Sequence, residues 1–323
     1  MIVESESQPL ARGDISFHIR IWYNYSNTQK GCNSRMQLFI VDAFTDRIFG
    51  GNQAGVVLLR DGQAFPQDRL MQQIAAELKH SETAFVRRID PATFQLRYFT
   101  PEGEVPLCGH ATVSAFTVLR EQGWIASGKY LAKTQSDDLD VSVETDQIWL
   151  RMPQGETVKQ LSPEEAECVY AAYQIGKEDQ PRELLPAIVK VGLPDIMLPV
   201  RTRHALNHAT QDRDEVIRLT RELGLVGVHM FCCSENEDTT ADCRNFAPLF
   251  GIDEESATGT SNASLTHFLL QSGLVKPGMI NRFVQGEAMG KPSVILSRVD
   301  EDESIWIGGS AVISVQGELT IVE

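Results

Sequence analysis

The chain has 323 residues, of which 42% are hydrophobic, so it is long enough for two domains with proper cores. Its net charge of −15 at pH 7 argues against nucleic acid and anionic membranes as partners. No apolar run approaches the roughly 20 residues of a membrane span, and the N-terminus lacks the apolar region of a secretory signal. The six cysteines form no C-x-x-C pair, which favours reduced thiols in a cytoplasmic protein without disulfides.

Residues 1–35 are polar, mixed in charge and without periodicity, which predicts a weakly ordered N-terminal extension. From Met36 onward the pattern is mainly one of strands. Residues 69–79 have the apolar spacing of an amphipathic helix. In the second half, Asp212 and Glu215 indicate the start of a helix that ends at Gly224. The predicted strands lie near 36–41, 54–59, 83–87, 94–99, 139–143, 148–152, 187–191, 196–200, 228–232, 244–248, 280–284, 293–296, 305–307 and 311–315.

A glycine turn followed by an apolar helical run occurs twice, at Gly109 and at Gly259. Such a turn presents the free N–H groups of a helix start, which suit a carboxylate or phosphate. The preceding helix-to-strand joints repeat with an offset of 145 residues, close to the 150 that separate the two glycines. These offsets predict two related halves, in which Glu82 of the first corresponds to Gly227 of the second.

Glu82 is the first candidate for catalysis, and its neighbour Ser81 is a further one. Glu82 lies between a helix and an apolar strand, where partial burial can raise the pKa of a carboxylate toward neutrality and suit it to proton transfer. On its residue type alone, Glu82 fits an ordinary surface glutamate better, since glutamate is mostly exposed.

His110 and Cys108 flank the first glycine. The dipole of the following helix favours a neutral imidazole at His110, which can donate or accept a hydrogen bond. A thiol near a helix start, as at Cys108, has a lowered pKa and could act as a base or nucleophile. Both residues also fit plain structural roles, as a polar helix start and a small buried apolar side chain.

Around the second glycine turn, Glu255 and Thr260 are candidates for substrate binding together with Gly259. Backbone N–H groups and the Thr260 hydroxyl could hold a carboxylate, while Glu255 could hold an ammonium or hydroxyl group. Acidic residues before a helix also suit its N-terminal end without any ligand.

The motifs for nucleotide, dinucleotide, zinc-protease and serine-hydrolase sites are all absent. We therefore expect no cofactor and no metal, so the chemistry is left to side chains.

The chain resembles the PhzF-like proteins of phenazine biosynthesis, which are related to diaminopimelate epimerase. The resemblance runs from Met36 almost to the C-terminus in family order. It rests on the segments 41–46, 49–52, 80–85, 98–101, 104–112, 246–248, 257–259, 285–286 and 290–293.

This resemblance implies an α+β, diaminopimelate epimerase-like fold of two pseudo-symmetric halves, each a central helix wrapped by a curved, barrel-like β-sheet. The first domain would comprise residues 36–150 plus about 310–323, and the second residues 151–309. The family's active site lies in the cleft between the halves, and a homodimer is expected from the family.

Residue by residue, the family's catalytic glutamate falls on Glu82 and its glycine–histidine pair on Gly109 and His110. Its aspartate before the second turn falls on Glu255, and its serine falls on Thr260. Because Glu255 has one more methylene than the family's aspartate, the phenazine-pathway substrate itself is not implied.

The leading hypothesis is a cofactor-independent isomerase that moves a proton within a small carboxylic acid, with Glu82 as the single acid/base. One alternative is a thiol-dependent amino-acid racemase or dehydratase using Cys108, although the second turn offers no matching thiol. The other alternative is a non-catalytic protein that binds a small carboxylate.

Overall fold

The computed structural model describes residues 20–24, 34–234 and 238–322, which form two compact units. Unit 1 comprises the described residues up to Asp42, Gln53–Val143 and those from Ala311 onward. Unit 2 comprises Ala43–Asn52 and Glu144–Ser310. Within the described part of the chain, no helix is long and apolar enough to cross a membrane.

The first part of the chain supplies most of unit 1, with two helices. Its elements are β1 (Arg20–Asn24), β2 (Ser34–Ala43), β3 (Asn52–Leu58), α1 (Asp68–Leu78), β4 (Glu82–Asp90), β5 (Thr93–Phe99), β6 (Glu104–Val105), α2 (Gly109–Glu121), β7 (Gly128–Lys133) and β8 (Asp138–Val143).

Unit 2 follows with four helices, after which one long strand returns to unit 1. The elements are β9 (Ile148–Arg151), β10 (Glu156–Gln160), α3 (Pro163–Ala172), β11 (Ala187–Val191), β12 (Leu193–Pro199), α4 (Arg203–His208), α5 (Arg213–Leu223), β13 (Gly227–Cys233), β14 (Ala241–Ala247), β15 (Ile252–Glu255), α6 (Gly259–Gln271), β16 (Ile280–Gln285), β17 (Ser293–Val299), β18 (Ile305–Gly309) and finally β19 (Ala311–Val322).

The two units repeat the same ladder of strand pairs, which confirms the predicted duplication. In unit 1, β3 pairs with β4 in parallel, β4 with β5 and β5 with β6 antiparallel, and β5 with β7 in parallel. In unit 2 the same sequence of pairings joins β12 to β13, β13 to β14, β14 to β15 and β14 to β16. The α+β fold expected from the resemblance is therefore present in both halves.

Helices α1 and α5 occupy the same place in this repeat, and each has 11 residues. Asp212 caps α5 by accepting a hydrogen bond from the Glu215 N–H, as the sequence predicts. The helices end at Lys79 and Gly224, both in the left-handed conformation, which turns the chain into the next strand.

Helices α2 and α6 are the central helices, and each has 13 residues. Ten consecutive residues of α2, from His110 to Leu119, are buried, and α2 packs on β4 and β19. Helix α6 packs on β11, β12, β13, β17 and β18. A helix that is buried on every face must be enclosed by other elements, so each unit is built around its central helix.

The division into units differs from the predicted domains at two segments, 43–52 and 144–150. Ala43–Asn52 belongs to unit 2, although the sequence placed it in the first domain. The reason is hydrogen bonding, since the Phe44 carbonyl accepts from the Val294 N–H and the Gly51 carbonyl accepts from the Ser256 hydroxyl. The other borders lie at Val143/Glu144 and Ser310/Ala311.

The predicted N-terminal extension, residues 1–35, lies mostly outside the described residues. Within it, β1 runs parallel to β19, with Arg20 opposite Glu318. Strand β2 begins at Ser34, two residues before the predicted start of the domain at Met36.

Gly227 begins β13 at a point where a side chain has no room. A Cβ at this position would lie 2.2 Å from the Phe246 carbonyl oxygen. We expect Gly227→Ala to destabilise the protein by about 2–4 kcal/mol, because backbone must move to remove the clash. Thermal unfolding measures this loss. Gly103→Ala is the control, since no described atom lies within 4 Å of a Cβ built there. Equal melting temperatures for the two variants would contradict the clash.

Candidate active site

Glu82 stands at the first position of β4, opposite Ala54 of the parallel strand β3. The chain reaches it from α1 through the left-handed residue Lys79 and a short turn. The Glu82 side chain is only 18% exposed, so the carboxylate is largely removed from water.

His110 is the second residue of α2, and its side chain is 6% exposed. Its Nε2 atom lies 3.1 Å from a Glu82 carboxylate oxygen and 3.3 Å from the Ser81 hydroxyl oxygen. The turn before β4 and the first turn of α2 thus place three predicted site residues in contact.

Cys108 immediately precedes α2 and is buried. Its Sγ atom lies 3.4 Å from Nδ1 and 4.0 Å from Nε2 of His110, and it accepts a hydrogen bond from the Ala111 N–H. Glu82, Cys108 and His110 therefore form one cluster, whose ligand-type atoms all lie within 4.8 Å of one another. Among the described residues, these three side chains form the cluster whose sulfur, nitrogen and oxygen donors lie close enough together to hold a metal ion.

Glu82 and His110 hold each other in their charged forms. Burial raises the pKa of Glu82, but the charge of His110 and hydrogen bonds from His110, Ser81 and Cys108 outweigh it and lower the pKa below 4.5. Burial lowers the pKa of His110, but Cys108 and Glu82 raise it well above 6.5. The predicted neutral imidazole and raised carboxyl pKa are both wrong, because the two groups face each other.

The Cys108 thiol is protonated. Burial and then the Glu82 charge raise its pKa to about 11, which outweighs the opposite effect of His110 and the Ala111 N–H. The lowered pKa expected at a helix start is therefore wrong, since the thiol is out of contact with water and beside a carboxylate.

Gly109 opens α2 between Cys108 and His110. Apart from its two chain neighbours and the backbone of its own helix, no described atom lies within 4 Å of a Cβ built on Gly109, so there is free space beside this residue. The N–H groups of the first turn have no acceptor within the helix and carry its positive dipole end. The arrangement leaves room for a small anionic group next to the Glu82–His110 pair.

Glu255 ends β15 in unit 2, just before α6. One carboxylate oxygen accepts from Asn52 Nδ2 at 2.9 Å, and the other accepts from the Thr258 hydroxyl at 2.5 Å. Asn52 also donates to the Ala257 carbonyl. The sequence did not identify Asn52 as a site residue, because its partner lies about 200 positions further along the chain.

Gly259 and Thr260 form the first turn of α6, as predicted. Gly259 is buried, and a Cβ on it would meet Ile307 and Phe44 at 3.5 and 3.6 Å. Thr260 is partly buried. The roles of Glu255, Gly259 and Thr260 in substrate binding stay predictions.

A chain of buried polar side chains connects Glu255 to the core of unit 2. The Gln285 amide donates to the Glu255 carbonyl and to the Thr258 hydroxyl, and it accepts from the Asn262 amide at 2.8 Å. His229 extends the chain, and burial lowers its pKa to about 4, so it is neutral. This network fixes the segment that carries Glu255 without adding a charge.

Asp195 is a buried carboxyl group that the sequence analysis missed. It lies in β12 opposite Gly227, is 2% exposed, and accepts from the Ser261 hydroxyl at 2.6 Å and from the Gly227 N–H. Burial raises its pKa to about 6, with a further contribution from the charge of Glu255. Aligning the sequences of the two halves matched Glu82 with Gly227, which begins β13. The buried carboxyl of unit 2, Asp195, lies instead on the neighbouring strand β12. A lone acid in the apolar segment 193–200 is the signal that could have revealed it.

The reactivity of Cys108 tests its protonation. We expect iodoacetamide at pH 8 to label Cys108 at least about tenfold more slowly than the exposed Cys168, because burial and a raised pKa both suppress the thiolate. Peptide mass spectrometry over a time course measures both rates in one sample. Equal or faster labelling of Cys108 would contradict the protonated thiol and support the thiol-dependent alternative.

The titration of Asp195 makes stability depend on pH. Its folded pKa, about 6, exceeds the ordinary 3.8, so the folded state holds this proton more tightly and loses stability as pH rises toward 6 and above. Asn cannot titrate. Between pH 5 and pH 8, the free energy of unfolding of Asp195→Asn should therefore rise by about 1 kcal/mol relative to that of the parent. Denaturant unfolding at both pH values measures the difference. The exposed Asp214→Asn is the control, and a gain that does not change with pH would contradict the assignment.

Comparison with known proteins agrees with this fold. The family model described as phenazine biosynthesis-like protein (PhzC-PhzF) matches residues 41–317. An uncharacterized isomerase of Clostridium acetobutylicum is 33% identical over 301 residues, covering 89% of this chain and 99% of the relative. The uncharacterized isomerase YddE of Escherichia coli K12 is 31% identical, covering 88% of this chain and 98% of the relative.

A crystal structure of a PhzF-family phenazine biosynthesis protein from Bacillus anthracis shares the fold. Its TM-score is 0.76 at 23% sequence identity, and the match covers 90% of this chain and all of that one. A general isomerase role fits the names of the sequence relatives. Because the family model spans most of the chain, the protein belongs to the PhzF, phenazine biosynthesis-like family.

Proposed function

We propose that this protein is a cofactor-independent isomerase that moves a proton within a small carboxylic acid. The observation that carries the proposal is the buried pair of Glu82 and His110, whose atoms lie 3.1 Å apart beside the free space at Gly109. The isomerase names of the relatives support the reaction class.

Glu82 is the base in this proposal, because its lowered pKa keeps it ionised at neutral pH. It removes a proton from a substrate carbon, and the C–H electron pair forms a new double bond. The electrons of the existing double bond shift to its far carbon, which takes the proton back from Glu82. The double bond moves by one position, and no atom or electron is gained or lost.

His110 supplies the opposite charge in the same step. As an imidazolium it can donate a hydrogen bond to the negative charge that develops on the substrate, and it balances the Glu82 carboxylate before the reaction. Ser81 contacts the same Nε2 atom and helps to orient the ring.

The substrate carboxylate is assigned to the first turn of α2, at Gly109 and His110, because the first N–H groups of a helix have no acceptor within it. In unit 2, we propose Gly259 and Thr260 as substrate-binding residues for the same reason. Glu255, fixed by Asn52 and Thr258, is proposed to accept a hydrogen bond from a substrate hydroxyl or ammonium group.

The two alternatives have less support. A thiol-dependent racemase or dehydratase needs a thiolate at Cys108, but burial raises the pKa of this thiol to about 11. A non-catalytic carboxylate-binding protein would gain nothing from a buried acid/base pair, whose desolvation is costly. The expected homodimer stays a prediction.

Glu82→Gln tests the proposal. We expect turnover to fall at least about 1000-fold, because the amide cannot accept the proton, while the fold is kept. A panel of small unsaturated carboxylic acids is incubated with each protein in deuterium oxide, and NMR follows both product formation and label uptake. The control is Glu102→Gln, at an exposed position of unit 1. Turnover of Glu82→Gln within a few-fold of the parent would refute the role of Glu82.

A further inference from the structure

The cluster that supports proton transfer also contains three different metal-ligand types. Glu82 offers a carboxylate oxygen, Cys108 a sulfur and His110 an imidazole nitrogen, all within 4.8 Å of one another. We propose that these three side chains form a reversible binding site for a zinc-class divalent cation, which blocks the Glu82–His110 pair.

The spacing of the ligand atoms is close to that of a tetrahedral site. Bond lengths of about 2.0–2.1 Å to nitrogen and oxygen and about 2.3 Å to sulfur imply ligand separations of about 3.3 Å for N···O and about 3.6 Å for N···S. The structure has 3.1 Å between His110 Nε2 and the Glu82 oxygen, and 4.0 Å between Nε2 and Cys108 Sγ. Because Cys108 Sγ lies nearer to Nδ1, at 3.4 Å, than to Nε2, the Cys108 side chain must turn toward Nε2 to share an ion with Glu82.

The charges of the donor set suit a divalent cation. A carboxylate, a thiolate and a neutral imidazole together carry two negative charges, which cancel the two positive charges of the ion. No net charge is then buried when the ion binds.

The donor set selects the kind of ion. Sulfur and imidazole ligands prefer zinc, cobalt and cadmium over magnesium and calcium, which require oxygen ligands. The free space beside Gly109 leaves room for water as the fourth ligand. Three protein ligands with one open position are typical of zinc sites that exchange a ligand.

Binding of the ion would take the Glu82 oxygen and the His110 nitrogen away from a substrate. Inhibition of turnover by zinc, reversed by a chelator, is therefore the expected consequence, and this part alone rests on the proposed function. Binding itself does not depend on what reaction the protein catalyses.

The test uses cobalt as a probe on the full chain, treated with a chelator, desalted and kept anaerobic. We expect one cobalt per chain, with a thiolate-to-cobalt charge-transfer band in the near ultraviolet. Zinc should displace the cobalt, whereas magnesium in about 100-fold excess should not.

Variants assign the signal to the cluster. Cys108→Ser should abolish the near-ultraviolet band, and Glu82→Gln should weaken binding at least about tenfold. Cys168→Ser and Cys233→Ser, at exposed thiols, should leave the band unchanged. His204→Ala controls for the exposed pair of His204 and His208 on α4, whose rings stack at 4.0 Å and could bind cobalt without sulfur.

The outcomes separate the two proposals. A band that is absent from the parent, or that persists in Cys108→Ser, overturns the metal site. If Cys108→Ser fails to fold by circular dichroism, the Glu82→Gln titration decides, and unchanged cobalt affinity there overturns the site. Turnover by Glu82→Gln overturns the isomerase mechanism and leaves the cobalt result unaffected.

Discussion

The buried ion pair of Glu82 and His110 is the constraint on which the rest of this site depends. Burial and the positive end of α2 oppose an imidazolium, and burial opposes a carboxylate. The two opposite charges, 3.1 Å apart, and the hydrogen bonds of Cys108 and Ser81 outweigh this cost. Burial raises the pKa of the Cys108 thiol, and the nearby carboxylate raises it further. The contact between Glu82 and His110 therefore contributes to the protonation of all three side chains, and with it to the chemistry that the cluster can perform.

The internal duplication explains how the fold produces such a contact. In each unit, two parallel strands begin beside the first turn of a buried central helix. A residue near the start of one of these strands can therefore reach that turn. In unit 1 this residue is Glu82, on β4, the strand that follows α1. Unit 2 uses Asp195, from the neighbouring strand, because Gly227 has no room for a side chain. The two halves share a backbone plan but place their carboxyl groups on different strands.

The two carboxyl groups have opposite electrostatic environments. Glu82 has a cationic partner that lowers its pKa, whereas Asp195 has only neutral donors, and Glu255 adds a like charge that raises its pKa further. Glu82 is thus suited to be an ionised base at neutral pH. Asp195 is held by Ser261 and the Gly227 backbone, so in unit 2 the carboxyl serves mainly to fix the start of α6. This difference in environment is what distinguishes two halves of almost identical topology.

The sequence by itself determined the duplication, the two glycine turns, the ends of α5 and the residues that lie together at α2. These features depend on residues that are close together in the chain, as helix caps and turns do. Helix α3 could also have been predicted, since Ser162 and Glu165 form a complete capping box at its start and Pro163 is its first residue. Only the tertiary structure decided the charge states of Glu82, Cys108 and His110, the hydrogen bond from Asn52 to Glu255, and the place of Asp195. The physical reason is that a pKa or a long-range hydrogen bond depends on burial and on groups brought together across the chain, which no local pattern contains.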